Sequence, residues 1–343
     1  MSTELDAGAA PAVYRPLARK RRRPADIAFH AGVLAAVLVA LGVLAWLFVS
    51  ILVKGLPALD WGFLTSKTST NPDRAGFASA LRGSLALMAI TAVVAIPVGF
   101  AAAVHLEKFA GQSAVRAQRL RGRLEALGAG TVRGRPLEAS WLRVRLAWAR
   151  VAPSVSHVID VNLNNLAAVP SIIYGLLGLA VYVSLVGIEK SLLAGGLTLT
   201  VLVLPIVIIA AREAIRAVPV SIEQGAMALG ATRWQAVSRQ VVPAAFPGML
   251  TGTILAMSRA IGESAPLVVV GGIAFGTRLP SLNPLDWGDT SLFAMPLQIF
   301  FWAGSPREEF QQLAAAGIIV LLGMLVLMNA LAIWLRNRFT RRW

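Results

Sequence analysis

Cysteine is absent from this chain, so no disulfide framework, thiolate nucleophile or cysteine-based metal site enters the argument. Histidine is scarce: His30, His105 and His157 lie far apart without ligand spacing and read as membrane-interface residues. Charge is short as well, at 14% of residues against 57% hydrophobic, where a soluble domain carries about 25% charged residues. That leaves too little polar surface to coat a water-soluble globule, and the two soluble domains that 343 residues would allow give way to one polytopic membrane domain. No Gly-x-x-x-x-Gly-Lys-Ser/Thr phosphate loop occurs, and no Ser/His/Asp or metal constellation stands out. The chain is therefore expected to be no enzyme and to bind no cofactor of its own.

What is present in excess is positive charge, a formal net +15. In a soluble protein this would point to nucleic acid. In a membrane protein the loops facing the cytoplasm hold the surplus Lys and Arg, and no nucleic-acid partner is needed to account for it.

The run Ala31–Val53 carries no charge over 23 residues, enough helix to cross a hydrocarbon core of about 30 Å. The basic cluster Arg19-Lys20-Arg21-Arg22-Arg23 precedes it as in a secretory signal, but the apolar run is too long for a signal core and has no small-residue cleavage site. An uncleaved first span with a cytoplasmic N-terminus is expected. Further apolar stretches at 81–104, 158–186, 192–211, 249–275 and 313–335 bring the expectation to six spans. On that alternating topology one side holds 24 Lys and Arg (6, 10, 4 and 4 in its successive segments) and the other 6, which puts both termini in the cytoplasm.

The organisation expected is a basic tail at 1–30, a first span at 31–53, a membrane domain at 78–335 and a basic tail at 336–343. Within the domain an Arg-rich insertion at 107–155, broken by Gly128, Gly130, Gly134 and Pro136, reads as a solvated, topology-setting loop rather than a lipid-headgroup site. Pro97, Pro170, Pro205 and Pro266 fall inside apolar runs, where each removes a backbone hydrogen bond and predicts a kink or break.

Two features carry functional information. Arg259 and Glu263 stand four residues apart in an otherwise apolar stretch, where each charge costs about 2.5 to 3.5 kcal/mol at mid-membrane. Either they neutralise each other to lock helix packing, or Arg259 faces a polar path with Glu263 orienting it and Ser264 beside it. Arg82, Asn162, Asn164, Asn165 and Arg212 are second-rank candidates, equally readable as interface anchors. The other feature is Gln224-Gly225-Ala226-Met227-Ala228-Leu229-Gly230-Ala231-Thr232-Arg233-Trp234, closing at Val242-Pro243 within a segment spanning 219–247. Small residues at 225, 226 and 228 allow close approach of a partner backbone, and Gly230 allows a sharp turn between two short helices.

That segment resembles the coupling loop of ABC importer permeases: Glu-Ala-Ala, three residues, Gly, nine residues, then aliphatic, any residue, Leu, Pro. The spacing from Gln224 through Gly230 to Pro243 fits, while Gln224, Gly225, Gln240 and Val242 depart from the pattern. The stretches 95–107, 165–178, 258–267 and 295–300, with Trp302 and 311–316, resemble phosphate permeases of the Pst system, and of its two permease types the PstA type more than PstC. The resemblance implies an all-α integral membrane protein with the six-span bundle of a type I ABC importer permease. It implies a path for inorganic phosphate, a PstC-like second permease subunit, a PstB-like ATPase dimer carrying ATP and Mg on the cytoplasmic side, and a PstS-like phosphate-binding protein outside, near Trp61 and Trp287. Membrane lipid is the remaining partner. A permease for sulfate or molybdate, a stand-alone carrier and a polytopic membrane enzyme are the alternatives; a carrier would hold more ionisable residues in its spans.

Overall fold

The long charge-free runs of the sequence become long helices. A computed structural model describes residues 24–109, 158, 162–273, 279–281 and 283–339. The basic tail up to residue 23, residues 110–155 of the Arg-rich insertion with 156 and 157 after it, Arg278 and the last four residues lie outside the described residues.

The chain divides into two units, Met1–Ser50 and Ile51–Trp343. In the first, the described residues form most of helix α1 (Pro24–Gly55), which turns Leu38, Leu44, Trp46 and other apolar side chains outward all round. A helix apolar on every side is suited to lipid or to another protein, not to water.

The second unit begins with the end of α1 and holds a short α2 (Trp61–Thr65) and a long α3 (Ala78–Val104), which ends in a π-helical turn, His105–Phe109. After the insertion come α4 (162–167) and α5 (Ser171–Gly178), the latter continuing as π-helix over Leu179–Leu185. Then follow α6 (Leu192–Arg216), α7 (Val220–Ala228), α8 (Arg233–Ala236), a π-turn Val237–Val241, and α9 (Val242–Ile261). Short α10 (Ala265–Val270) and α11 (Met295–Ala303) precede the final long α12 (Glu308–Phe339). The only strand-like pairing among the described residues is an isolated bridge between Ser191 and Ser291.

The core forms where α3, α6 and α9 meet. A Cβ on Gly99 of α3 would come within 2.7 Å of Val207 on α6, and one on Gly252 of α9 would collide with Ala210, so glycine sets how closely these helices approach. Thr91, Thr198 and Thr200 are buried, and each hydroxyl donates to the carbonyl four residues back, which satisfies it without water. Near the start of α3 an aromatic cluster fastens the bundle: Phe63 stacks on Phe77 at 5.3 Å, and Trp302 lies 5.8 Å from Phe77 and 6.1 Å from Phe310.

Among the described residues five helices are long and apolar enough to cross a membrane: 28–58, 78–109, 192–216, 233–261 and 308–338. Four of them contain the runs expected as spans one, two, four and six. The two other expectations need correction. The run expected as a single third span is interrupted: α4 stops at 167, and an apolar helix of 15 residues, Ser171–Leu185, restarts after Pro170. The run expected as the fifth span, 249–275, is also broken, because α9 begins earlier, at Val242, and ends at Ile261. In both places proline sits where the second helix starts, at the N-cap of α5 (Pro170) and inside the first turn of α10 (Pro266). A missing N–H costs least there. By contrast Pro97 and Pro205 stay inside the continuous helices α3 and α6.

Candidate functional site

Both breaks bear on one region. Pro170 cannot supply the N–H that would serve the Leu166 carbonyl in an unbroken helix, and that carbonyl accepts instead from Val169 N–H at 3.1 Å and from the Tyr174 hydroxyl at 2.7 Å. The buried Tyr174 thus ties α5 back to the end of α4. The second break packs against the first: a Cβ on Gly175 of α5 would lie 2.7 Å from Cα of Pro266. Glycine at 175 is what lets α10 sit so close.

Arg259 occupies the last turn of α9, and its side chain is 48% exposed. Glu263 is not on the same helix, as the sequence suggested, but just beyond the C-cap Gly262, and it still reaches back to the guanidinium, Oε1 to Nε 3.4 Å. This is one long contact. The two Nη groups of Arg259 make no hydrogen bond or ion pair among the described residues. Ser264, whose carbonyl accepts from Leu267 and Val268, has a hydroxyl with no partner among the described residues. Immediately before Arg259, Ser258 donates to Asn329 of α12 at 2.5 Å, and Leu255, one turn earlier on the face of Arg259, is two-thirds exposed. The result is a half-open cation at a helix break.

The helix carrying Arg259 starts at Arg233, so a continuous helical rod, Arg233–Ile261, joins this region to the expected coupling loop. At about 1.5 Å per residue the two arginines stand ~39 Å apart along it. The loop itself is built from α7, a turn, and α8. Leu229 closes α7 and Gly230 takes φ +91°, a conformation open to glycine at little cost. Thr232 caps α8 in a reciprocal pair, its Oγ1 accepting from Gln235 N–H at 3.3 Å while its own N–H donates to Gln235 Oε1 at 2.8 Å. Gln224, Gly225 and Thr232 are exposed, Ala226 and Ala231 half-buried, and Pro243 exposed in the first turn of α9. Leu229 is 92% exposed, and a Cβ on Gly225 would meet nothing, so the outer surface of the loop is open.

Its inner surface is not open. Glu223, beside Gln224, is buried and takes Lys108 Nζ at 2.9 Å on one oxygen and Arg233 Nε at 3.3 Å on the other. The second contact is an ion pair without the alignment of a hydrogen bond. Arg233 also donates from Nη2 to the Lys108 carbonyl at 2.7 Å, and Phe109 lies 6.0 Å from the Trp234 ring. Next to Lys108, Glu107 pairs with Arg216 at 2.9 Å and Arg212 at 3.4 Å at the end of α6. The first residues of the expected insertion therefore belong to the bundle.

Of the predicted residues, Arg259, Glu263 and Ser264 share one break, and the loop residues Gln224 to Arg233 share one knob at the other end of the rod, with Pro243 on the rod itself. Arg212 is a structural ion-pair partner. Arg82 is half-buried one turn into α3 with no hydrogen bond or ion pair among the described residues. Asn162 turns its amide to the Val158 carbonyl at 2.7 Å, and Asn164 and Asn165 are exposed. Of the two tryptophans expected near a docking partner, Trp61 is 78% exposed, while Trp287 is half-buried and donates to the Ser281 carbonyl. Glu107, Lys108 and Glu223 escaped sequence reasoning, their one signal being charge at the margin of an apolar run.

Residues 146–343 match the family described as binding-protein-dependent transport system inner membrane component. That is more than half of the chain. The chain belongs to this family. It is 28% identical over 316 residues to the "Probable ABC transporter permease protein YqgI" of Bacillus subtilis, covering 89% of this chain and 92% of that protein. It is 30% identical over 287 residues to the phosphate transport system permease protein PstA of Xylella fastidiosa (83% of this chain, 84% of that one). PstA 1 of Mycobacterium tuberculosis is 27% identical over 347 residues, 100% of this chain and 97% of that one. With its long apolar helices, this member of the permease family is a multi-pass membrane protein.

Proposed function

We propose that the chain is the membrane-spanning subunit of an ATP-driven importer and forms half of the translocation path for inorganic phosphate. The observation that carries the substrate is the near full-length likeness to proteins named as phosphate permeases. The site supplies a physical basis. A guanidinium with both Nη groups uncommitted offers two parallel hydrogen bonds to an oxyanion, and the Glu263 carboxylate on Nε orients it and moderates its field. An unmoderated arginine would retain phosphate too firmly to pass it on.

Arg259 is half exposed and Leu255 two-thirds exposed, as expected where a second, PstC-like permease subunit completes the path. The loop at 219–247 is read as the dock for a cytoplasmic PstB-like ATPase dimer, which carries ATP and Mg. A PstS-like phosphate-binding protein delivers substrate at the opposite end, near the exposed Trp61. The Lys and Arg balance of the loops supports a topology with both termini in the cytoplasm.

The test is Arg259→Gln. Uptake of radiolabelled phosphate is expected to fall by about two orders of magnitude, the scale on which an oriented charge pair contributes to recognition, while copurification with the ATPase is retained. Arg259→Lys, lacking the fork, recovers only part. Native uptake by the Gln variant contradicts the role given to Arg259.

A further inference from the structure

The coupling-loop reading explains the open outer surface of the loop and leaves the buried carboxylate beneath it without a task. Glu223 closes a ring of contacts: its carboxylate joins the Lys108 ammonium to the Arg233 guanidinium, and Arg233 returns to the Lys108 carbonyl. Three segments meet there, the end of α3 and, 115 residues further along at Glu223, the helix α7 followed by the first residue of the rod that leads to Arg259. Glu107, adjacent to Lys108, extends the tie to α6 through Arg212 and Arg216. Apolar side chains of similar volume would hold such a junction at least as well, since buried ion pairs give up much of their attraction in desolvation. What charge adds is direction, one arrangement of the three segments in preference to near neighbours.

We propose that Glu223, held between Lys108 and Arg233, is a positioning residue that makes the loop, α3 and the Arg233–Ile261 rod move as one body when the ATPase acts on the loop. This rests on reading 219–247 as the ATPase dock. A push on the outer surface then reaches Arg259 through the rod and reaches the core through α3, and without Glu223 the loop rocks on its own. ATP continues to be hydrolysed by the partner, and the path does not respond.

The experiment uses the complete importer in proteoliposomes, measuring ATP hydrolysis and radiolabelled phosphate uptake in the same preparation. For Glu223→Gln, hydrolysis is expected within about twofold of native while phosphate imported per ATP falls about tenfold, the scale of a coupling free energy. The exchange Lys108→Glu with Glu223→Lys restores most of that ratio, which a merely structural role does not foresee. A native ratio in Glu223→Gln, or an assembled exchange variant that recovers nothing, overturns the proposal. If Glu223→Gln does not assemble, Lys108→Met carries the test, and failure of both to assemble makes the ring a folding element and likewise overturns the proposal. A native complex that hydrolyses ATP and imports no phosphate refutes the parent reading instead.

Discussion

The two ends of the Arg233–Ile261 rod treat charge in opposite ways. At Arg233 the charges are paired: a buried carboxylate sits between two cations, and the neighbouring Glu107 sits between two more. At Arg259 the guanidinium is half exposed and, among the described residues, has one contact of 3.4 Å and no partner for its fork. Charges that hold a fold together are paired, whereas on the reading proposed for Arg259 one that acts on a passing anion is left open, at a cost the membrane makes large. Exposed apolar residues mark both ends: Leu229 stands out at the knob of the loop, and Leu255 beside Arg259.

That comparison is open to attack. The largest effect, after loss of the Arg259 fork, is expected at the turn. Gly230→Val forces a β-branched residue into φ +91°, costs about 1–3 kcal/mol locally and reduces the ATPase copurifying with the complex about tenfold. Undiminished copurification separates the turn from docking. A smaller effect is expected at Glu263→Gln, which removes the moderating charge. Phosphate is held longer, and uptake falls about threefold, on the scale of one weakened charge-assisted hydrogen bond. Faster uptake contradicts the moderating role. The smallest is Gln224→Glu, a change at an exposed position that points away from the buried ring, with uptake expected to stay within about twofold of native because exposed pairs contribute little. A large loss there shows that residue 224, not 223, carries the coupling.

Much of the bundle was legible in the sequence because a run free of charge has few alternatives to a membrane helix. The expected 81–104 and 192–211 sit inside the observed 78–109 and 192–216. The breaks at Pro170 and Pro266 were harder to separate from the unbroken helices at Pro97 and Pro205, since all four prolines fall inside apolar runs. What decides is packing, such as α10 lying against Gly175. The loop could be read from spacing, because a turn at Gly230 and a cap at Thr232 are local devices. Its inner ring could not be read that way. Lys108 and Glu223 lie 115 residues apart, and no pattern along the chain announces that pair.

The most direct test of the central claim is radiolabelled phosphate uptake by phosphate-starved cells with this gene deleted and then restored, in the presence of unlabelled sulfate or molybdate. Uptake is expected to fall on deletion, to return on complementation and to resist both competitors. Phosphate uptake that is unchanged by deletion, or that yields to sulfate or molybdate, would contradict the substrate assignment.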